Sequence, residues 1–311
     1  MATTKILTKV KKTIPKTNGQ FNVYFDGNLQ AAQIKGENYR SLFVESVEDF
    51  FKRMKHHLYI AGQPGVGKTY TVELLSKNFP NTYLLTLKGK MTPWAFIKTI
   101  AVCMYKLPKT MKLAVYIDDM NEIFKSSSDF LDMFKIAMDK ASGDRLEYNT
   151  SLGAQYAACE DIEKEAIDYF KSMDPDRTGF TIPFNNRVKF IFTMNTPLPG
   201  AKEMAQHKVG TNHWITLNNR SAIRSRVVYE DLVMDKDTHW GWIADVVWNN
   251  PTTMCADADT DQRFEMLSWL WDNWESVSEH SLRFVEEKMW DIMQQYPTKM
   301  GYRKRWEKLK G

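Results

Sequence analysis

Residues 58 to 69 read Leu58-Tyr59-Ile60-Ala61-Gly62-Gln63-Pro64-Gly65-Val66-Gly67-Lys68-Thr69. An apolar run enters at Gly62, four residues follow, and Gly67-Lys68-Thr69 closes the pattern. Tyr70-Thr71-Val72-Glu73-Leu74-Leu75 then continues as a helix. Strand, glycine-rich loop and helix in this order make a phosphate-binding loop. The glycines let the backbone curl so that its N–H groups point at phosphate oxygens. The helix N-terminus adds a partial positive charge behind them. Gly62, Gln63, Pro64, Gly65, Val66, Gly67, Lys68, Thr69 and Tyr70 are the expected ATP-binding residues. Lys68 suits the β- and γ-phosphates, and the Thr69 hydroxyl suits magnesium.

A second motif lies 118 − 68 = 50 residues downstream of Lys68. Lys112-Leu113-Ala114-Val115-Tyr116-Ile117 is a short, largely apolar strand that ends at Asp118-Asp119. A buried strand that stops at a carboxylate delivers it to the sheet edge where ligands sit. Asp118 is the expected magnesium carboxylate, directly or through water. Taken without the loop, it would also serve as a turn residue or helix cap.

The alternation continues on both sides. Segments 57–61, 82–87, 113–117 and 188–194 read as strands. Segments 68–78 and 92–105, and the stretch carrying Phe130, Met133, Phe134 and Ala137, read as helices. Such alternation predicts an α/β fold with a parallel sheet covered on both faces. Phe21 to Phe25 reads as a short strand, and Ser41 to Met54 has helical spacing. Residues 142–186 break the alternation and read as an insertion, with an acidic helix over Ala157–Phe170 and an extended Phe180–Phe184. From Asp237 onward the pattern is helical only, and the Trp269, Trp271, Trp274 run reads as helical core. The expected domains are an N-terminal basic arm (1–40), a core (41–234) and a smaller helical domain (235–311) with a basic tail.

Composition narrows the field. The chain has 311 residues, 43% hydrophobic content and a net charge of +4, enough for a core domain plus a smaller one. Lys5, Lys9, Lys11, Lys12 and Lys16 crowd one end, and Lys299, Arg303, Lys304, Arg305, Lys308 and Lys310 the other. Solvated termini account for this; contact with a nucleic-acid backbone is the sharper reading. Cys103, Cys159 and Cys255 show no paired spacing, as for thiols in a reducing compartment. No segment has the apolar length of a membrane span or the apolar core of a signal peptide, so a soluble, cytoplasmic protein with no membrane partner is expected.

The order of motifs resembles that of AAA+ ATPases over roughly residues 40 to 295. The phosphate loop corresponds to the Walker A element, and the strand ending at Asp118-Asp119 to Walker B. Phe190-Ile191-Phe192-Thr193-Met194-Asn195 resembles the sensor-1 strand, with Asn195 in the sensing position. Asn219 to Tyr229 resembles the arginine-finger segment, and Ser281-Leu282-Arg283 resembles sensor 2 of a helical lid. The resemblance implies ATP hydrolysis with magnesium in a homo-oligomeric ring, a hexamer by analogy, that remodels a macromolecule. It implies that Asn195 orients water, that Arg283 touches the γ-phosphate from the lid, and that Arg226 reaches the ATP of the next subunit. Arg224 remains an alternative finger.

Two departures from the family stand out. Asp119 occupies the place where the family has Glu, which suggests slower turnover or help from nearby Glu122. The insertion precedes the sensor-1 strand, as in the group containing MoxR-like ATPases and ClpX-like unfoldases. The substrate is left open between DNA, in replication or recombination, and a protein complex. A nucleotide-gated scaffold with little turnover and a small-molecule kinase sharing only the loop are the rival classes. The architecture is also compatible with a virus- or phage-encoded protein.

Overall fold

The computed structural model describes residues 21, 24–119, 128–139, 144–150, 152–206, 209, 212–250 and 254–311. Glu122 and the lysines of residues 1–20 lie outside them. The chain divides into two compact units. A sheet unit comprises Ser46–Gly62 and Val72–Asp231; a helical unit comprises the N-terminal segment up to Glu45, Gln63–Thr71 and Leu232–Gly311.

The sheet unit holds β1 (His57–Gly62), β2 (Thr82–Lys88), β3 (Lys112–Asp118), β6 (Val188–Met194) and β7 (Val227–Leu232), in the order β2-β3-β6-β1-β7. β2, β3, β6 and β1 run parallel, with Leu85 opposite Val115, Tyr116 opposite Ile191 and Leu58 opposite Ile191. Every residue of β1 and β6 is buried, as are Leu113 to Ile117 of β3. Strands covered on both faces need largely apolar runs, and these sequences supply them apart from His57, Lys189 and Thr193. The α/β class with a parallel sheet flanked by helices therefore holds.

Helices α3 (Pro93–Lys106) and α4 (Ser128–Met138) contribute to the sheet core. Phe96 of α3 packs 4.7 Å, centroid to centroid, from Phe134 of α4, which lies 5.6 Å from Phe190 of β6. Offset and tilted aromatic pairs at these distances add to simple area burial. Thr92 caps α3 by accepting from the Ala95 N–H at 3.1 Å, and Pro93 fits the first turn because no N–H is needed there.

The insertion is built into the core of this unit, where Leu146, Phe170, Phe180 and Ile182 share a cluster with Phe96 and Phe190. β4 (Arg145–Tyr148) and β5 (Phe180–Pro183) pair antiparallel, and α5 (Gly153–Ala157) and α6 (Asp161–Lys171) lie between them in sequence. Arg177 fastens the two strands. Its guanidinium donates to Thr181 Oγ1 at 2.8 Å, to Glu147 Oε2 at 2.6 Å and to the Asn149 side chain. α6 carries a capping box between Glu160 and Glu163.

The helical unit contains the first part of α1 (Gly27–Arg53), α9 (Lys236–Asn249), α10 (Thr260–Asp272), a π-helical turn (Phe284–Trp290), α11 (Asp291–Gln295) and α12 (Lys299–Trp306); α2 (Lys68–Ser76), α7 (Ala201–Ala205) and α8 (Asn212–Arg224) are further helices among the described residues. Asp235 caps α9 and Asp259 caps α10. Buried tryptophans dominate the core. Trp240 Nε1 donates to the Leu267 carbonyl at 3.0 Å, and Trp306 Nε1 donates to the Met289 carbonyl at 3.1 Å. Trp269 and Trp274 are buried, as the helical reading of that run requires.

Three expectations are corrected. Phe21 and Tyr24 are helical, not extended, and the Phe25 N–H donates to the Phe21 carbonyl at 3.1 Å. The boundary expected at 41 falls inside α1, so residues 27–40 belong to a helix that runs on to Arg53. The C-terminal stretch is a packed helix, because Tyr302 and Trp306 are buried. Removing residues 299–311 would take core with it.

α1 and α9 touch backbone to backbone within the helical unit. A Cβ on Gly36 would lie 2.0 Å from the Trp242 nitrogen, and one on Gly241 would lie 1.8 Å from the Ala32 carbonyl oxygen. Glycine to alanine in an exposed helix stabilises by about 1 kcal/mol. Gly241→Ala is expected to do the opposite and destabilise by about 1–3 kcal/mol, because it forces two backbones apart. A denaturant midpoint that rises in this variant would contradict the close approach.

Among the described residues no helix is long and apolar enough to cross a membrane. The three cysteines are free, and burial pushes the Cys103 thiol up to about 11 and the Cys255 thiol up to about 12. Thiols held protonated in this way are poor nucleophiles.

Candidate nucleotide-binding site

The phosphate loop leaves the end of β1 at Gly62 and turns into α2. Gly65 and Gly67 adopt φ of 75° and 81°, left-handed conformations that exclude most side chains. The Thr71 N–H donates to the Gly67 carbonyl at 2.9 Å and so begins the helical ladder. Lys68 is buried, and its Nζ donates to the Gln63 carbonyl at 2.7 Å, across the mouth of the loop. The Gln63 side chain donates to the Met234 carbonyl at 3.3 Å. Tyr70 is exposed.

The segment expected to act as sensor 2 packs on this loop. The Leu282 N–H donates to the Gly65 carbonyl at 3.0 Å. A Cβ on Gly65 would lie 2.2 Å from the Ser281 Cβ, so close packing as well as φ reserves this position for glycine. Ser281 Oγ accepts from the Phe284 N–H at 2.9 Å and donates to Glu279 at 2.7 Å. Arg283 follows directly. Its side chain is 71% exposed and its Nε is 3.7 Å from Glu287, a loose pair that water screens. The backbone before Arg283 is thus tied to the loop, while its guanidinium is only weakly held by its own helix.

The sheet unit gathers the other expected groups at one edge. β1, β3 and β6 are parallel neighbours or near neighbours, so Gly62, Asp118 and Asn195 all lie at their C-terminal ends. Asp118 Oδ1 accepts from Thr193 Oγ1 at 2.6 Å. Its Oδ2 lies 3.6 Å from Lys88 Nζ, at the end of β2. Lys88 also donates to Glu73 at 3.1 Å, and that bond, reinforced by the charges of Glu73 and Asp118, raises its pKa against a smaller burial effect. Asp119 is exposed and left-handed at φ 50°, with its N–H donating to the Thr193 carbonyl at 2.9 Å. Asn195 is exposed just beyond β6.

The two arginines before β7 differ. Arg224 is committed within its own unit: Nη1 donates to the Leu198 carbonyl at 2.7 Å, and the guanidinium stacks 4.3 Å above the Tyr229 ring. Arg226 borders a cavity of about 380 Å³ shared with His56, Asp139 and Val228. Its Nη1 donates to the Ala222 carbonyl at 2.7 Å, its Nη2 is 3.6 Å from Asp139, and its Nε is buried without a hydrogen-bond partner. Because His56 precedes β1, this cavity lies at the opposite end of that strand from Gly62. Six residues of strand separate the two ends, roughly 20 Å.

Thr69 in the helical unit and Asp118 in the sheet unit are each a hard oxygen donor of the kind magnesium takes. Among the described residues no group of three or more His, Cys, Asp or Glu could hold a metal by itself. A divalent ion here would depend on ligand oxygens.

Sequence reasoning missed Lys88, Thr193, Tyr116 and the Ser281–Gly65 contact. Lys88 comes opposite Asp118 only through the parallel register of β2 and β3.

No family model matches the chain, and no curated protein matches it. Among solved structures, a mutant of Thermotoga maritima RuvB overlaps 88% of this chain and 69% of its own at 11% identity and a TM-score of 0.48. The Thermotoga maritima RuvB Holliday junction branch migration motor overlaps 87% and 68% at 12% identity and a TM-score of 0.45. A replication initiator DnaA bound to AMPPCP and single-stranded DNA overlaps 85% and 63% at 11% identity and a TM-score of 0.41.

Proposed function

We propose that this chain is an AAA+-type ATPase that hydrolyses ATP within a homo-oligomer and uses the cycle to remodel a macromolecular substrate, DNA or a protein complex. One observation carries the reading. The phosphate loop leaves β1 at the sheet edge where β3 ends in Asp118-Asp119 and β6 ends at Asn195, while Arg226 lies at the other end of β1.

Phosphoryl transfer spreads negative charge over the γ-phosphate oxygens, so catalysis consists of positioning and fixed positive charge. The loop amides and Lys68 hold the β- and γ-phosphates; Lys68 exchanges its bond to the Gln63 carbonyl for a phosphate oxygen. Thr69 and Asp118 would hold magnesium, which would supply positive charge beside the phosphates. Asp119 accepts a proton from the attacking water, and Asn195 orients that water. Arg283 reports nucleotide from the segment that packs on Gly65. Arg226 is too far from its own Gly62 to touch its own nucleotide and serves the next subunit.

Lys68→Ala tests the nucleotide site itself. Bound ATP stabilises by RT ln(1 + [L]/Kd), about 2.7 kcal/mol at a hundredfold excess over Kd. Saturating ATP and magnesium are expected to raise the melting temperature of the wild type and leave Lys68→Ala unmoved. An equal shift in both would remove Lys68 from the site.

A further inference from the structure

Thr193 lies on β6, in a strand that is otherwise apolar apart from Lys189, and it is 1% exposed. Valine has nearly its shape, so packing alone does not call for a hydroxyl there. A buried hydroxyl is costly unless it is hydrogen-bonded, and this one is bonded twice. Its proton goes to Asp118 Oδ1 at 2.6 Å. With that proton committed, Thr193 Oγ1 accepts from the Tyr116 hydroxyl at 2.8 Å. Tyr116 is fully buried on β3, two residues before Asp118 and hence on the same face of the strand. The Thr193 carbonyl takes the Asp119 N–H at 2.9 Å, the bond that accompanies the left-handed turn at Asp119.

We propose that Thr193, backed by Tyr116, is a positioning residue for both carboxylates of the site. Its side chain fixes the plane of the Asp118 carboxylate, and its backbone fixes where Asp119 leaves the strand. The hydroxyl occupies one lone pair of Oδ1. Oδ2 faces a cation already, with Lys88 Nζ at 3.6 Å. This assignment rests on Asp118 being the magnesium carboxylate. Partners that orient a metal ligand typically change metal affinity by about 10- to 100-fold when they are lost.

The experiment is binding of a non-hydrolysable ATP analogue, titrated with magnesium, so that no turnover is needed. Thr193→Val is expected to raise the half-saturating magnesium concentration by about 10- to 100-fold. Binding of the analogue without magnesium stays unchanged. Thr193→Ser, which keeps the hydroxyl, restores the wild-type requirement, and Tyr116→Phe gives a smaller rise in the same direction. Asp118→Ala is run beside them. A wild-type magnesium requirement in Thr193→Val, with a raised one in Asp118→Ala, overturns the positioning role and leaves the site intact. Loss of magnesium-free binding in Thr193→Val that serine does not rescue overturns it too. An unchanged requirement in Asp118→Ala instead removes Asp118 from the metal site. Should Thr193→Val fail to fold, an unchanged requirement in Tyr116→Phe overturns the pair.

Discussion

Arg226→Ala is expected to lower ATP turnover by about 10³-fold or more, the range found when an arginine finger is withdrawn, while ATP binding and assembly persist. In barrier terms this is about 4 kcal/mol. The expectation follows from where Arg226 sits. The cavity it shares with His56 and Asp139 lies at the start of β1, and the phosphate loop leaves from that strand's end. Its ties within the chain are a bond to the Ala222 carbonyl at 2.7 Å, one turn back, and Asp139 at 3.6 Å, a pair partly open to solvent. The ion pair contributes about 0–1 kcal/mol and the bond to the carbonyl about 1.5–3 kcal/mol, so a modest loss of stability is expected beside a far larger loss of turnover. Arg224 is the control. Its bond to the Leu198 carbonyl and its stacking on Tyr229 make it a structural residue, and Arg224→Ala should lower stability. Steady-state turnover, native mass and melting temperature of the two variants separate these roles. Inactivity of Arg224→Ala at full stability, with an active Arg226→Ala, would exchange the assignments.

Asp119→Asn is expected to bind ATP as the wild type does and to turn it over about 10²- to 10⁴-fold more slowly, the usual contribution of a general base. The amide keeps the size of the side chain and cannot take the proton. The left-handed backbone at φ 50° is one that Asn tolerates as readily as Asp, so the exchange adds no strain. Asp119 is exposed at the sheet edge, with its N–H fixed to the Thr193 carbonyl. Calorimetric binding of ATP alongside single-turnover hydrolysis measures both halves of the expectation. Wild-type hydrolysis in this variant would exclude Asp119 as the base.

Those parts of the site that chemistry restricts to particular residues were legible in the sequence. Only glycine suits the backbone at Gly65 and Gly67, so the loop announces itself. The buried strands were legible because both of their faces must be apolar. The first half of α1 was not. Gly27 to Arg40 is polar, and it packs against α9 through Ala32 and Gly36, whose value is their small size. Hydrophobic periodicity does not register such a contact. Phe21 and Phe25 read as alternation, yet the same spacing of four places their rings 4.2 Å apart on a helical turn. The antiparallel pairing of β4 with β5 has no tight turn to signal it, since two helices intervene. The bond between Tyr116 and Thr193 joins residues 77 positions apart on neighbouring strands. It appears only once the parallel register is known.

In the proposed cycle each active site is completed by the next subunit. Lys68→Ala lacks a competent loop but keeps Arg226; Arg226→Ala keeps the loop but lacks the finger. Mixing the two inactive variants tests the claim most directly, with native mass confirming mixed assemblies. If Arg226 acts across the interface, an Arg226→Ala loop facing a Lys68→Ala neighbour is complete, and ATP turnover returns on mixing. Mixed assemblies as inactive as either variant alone would contradict the account.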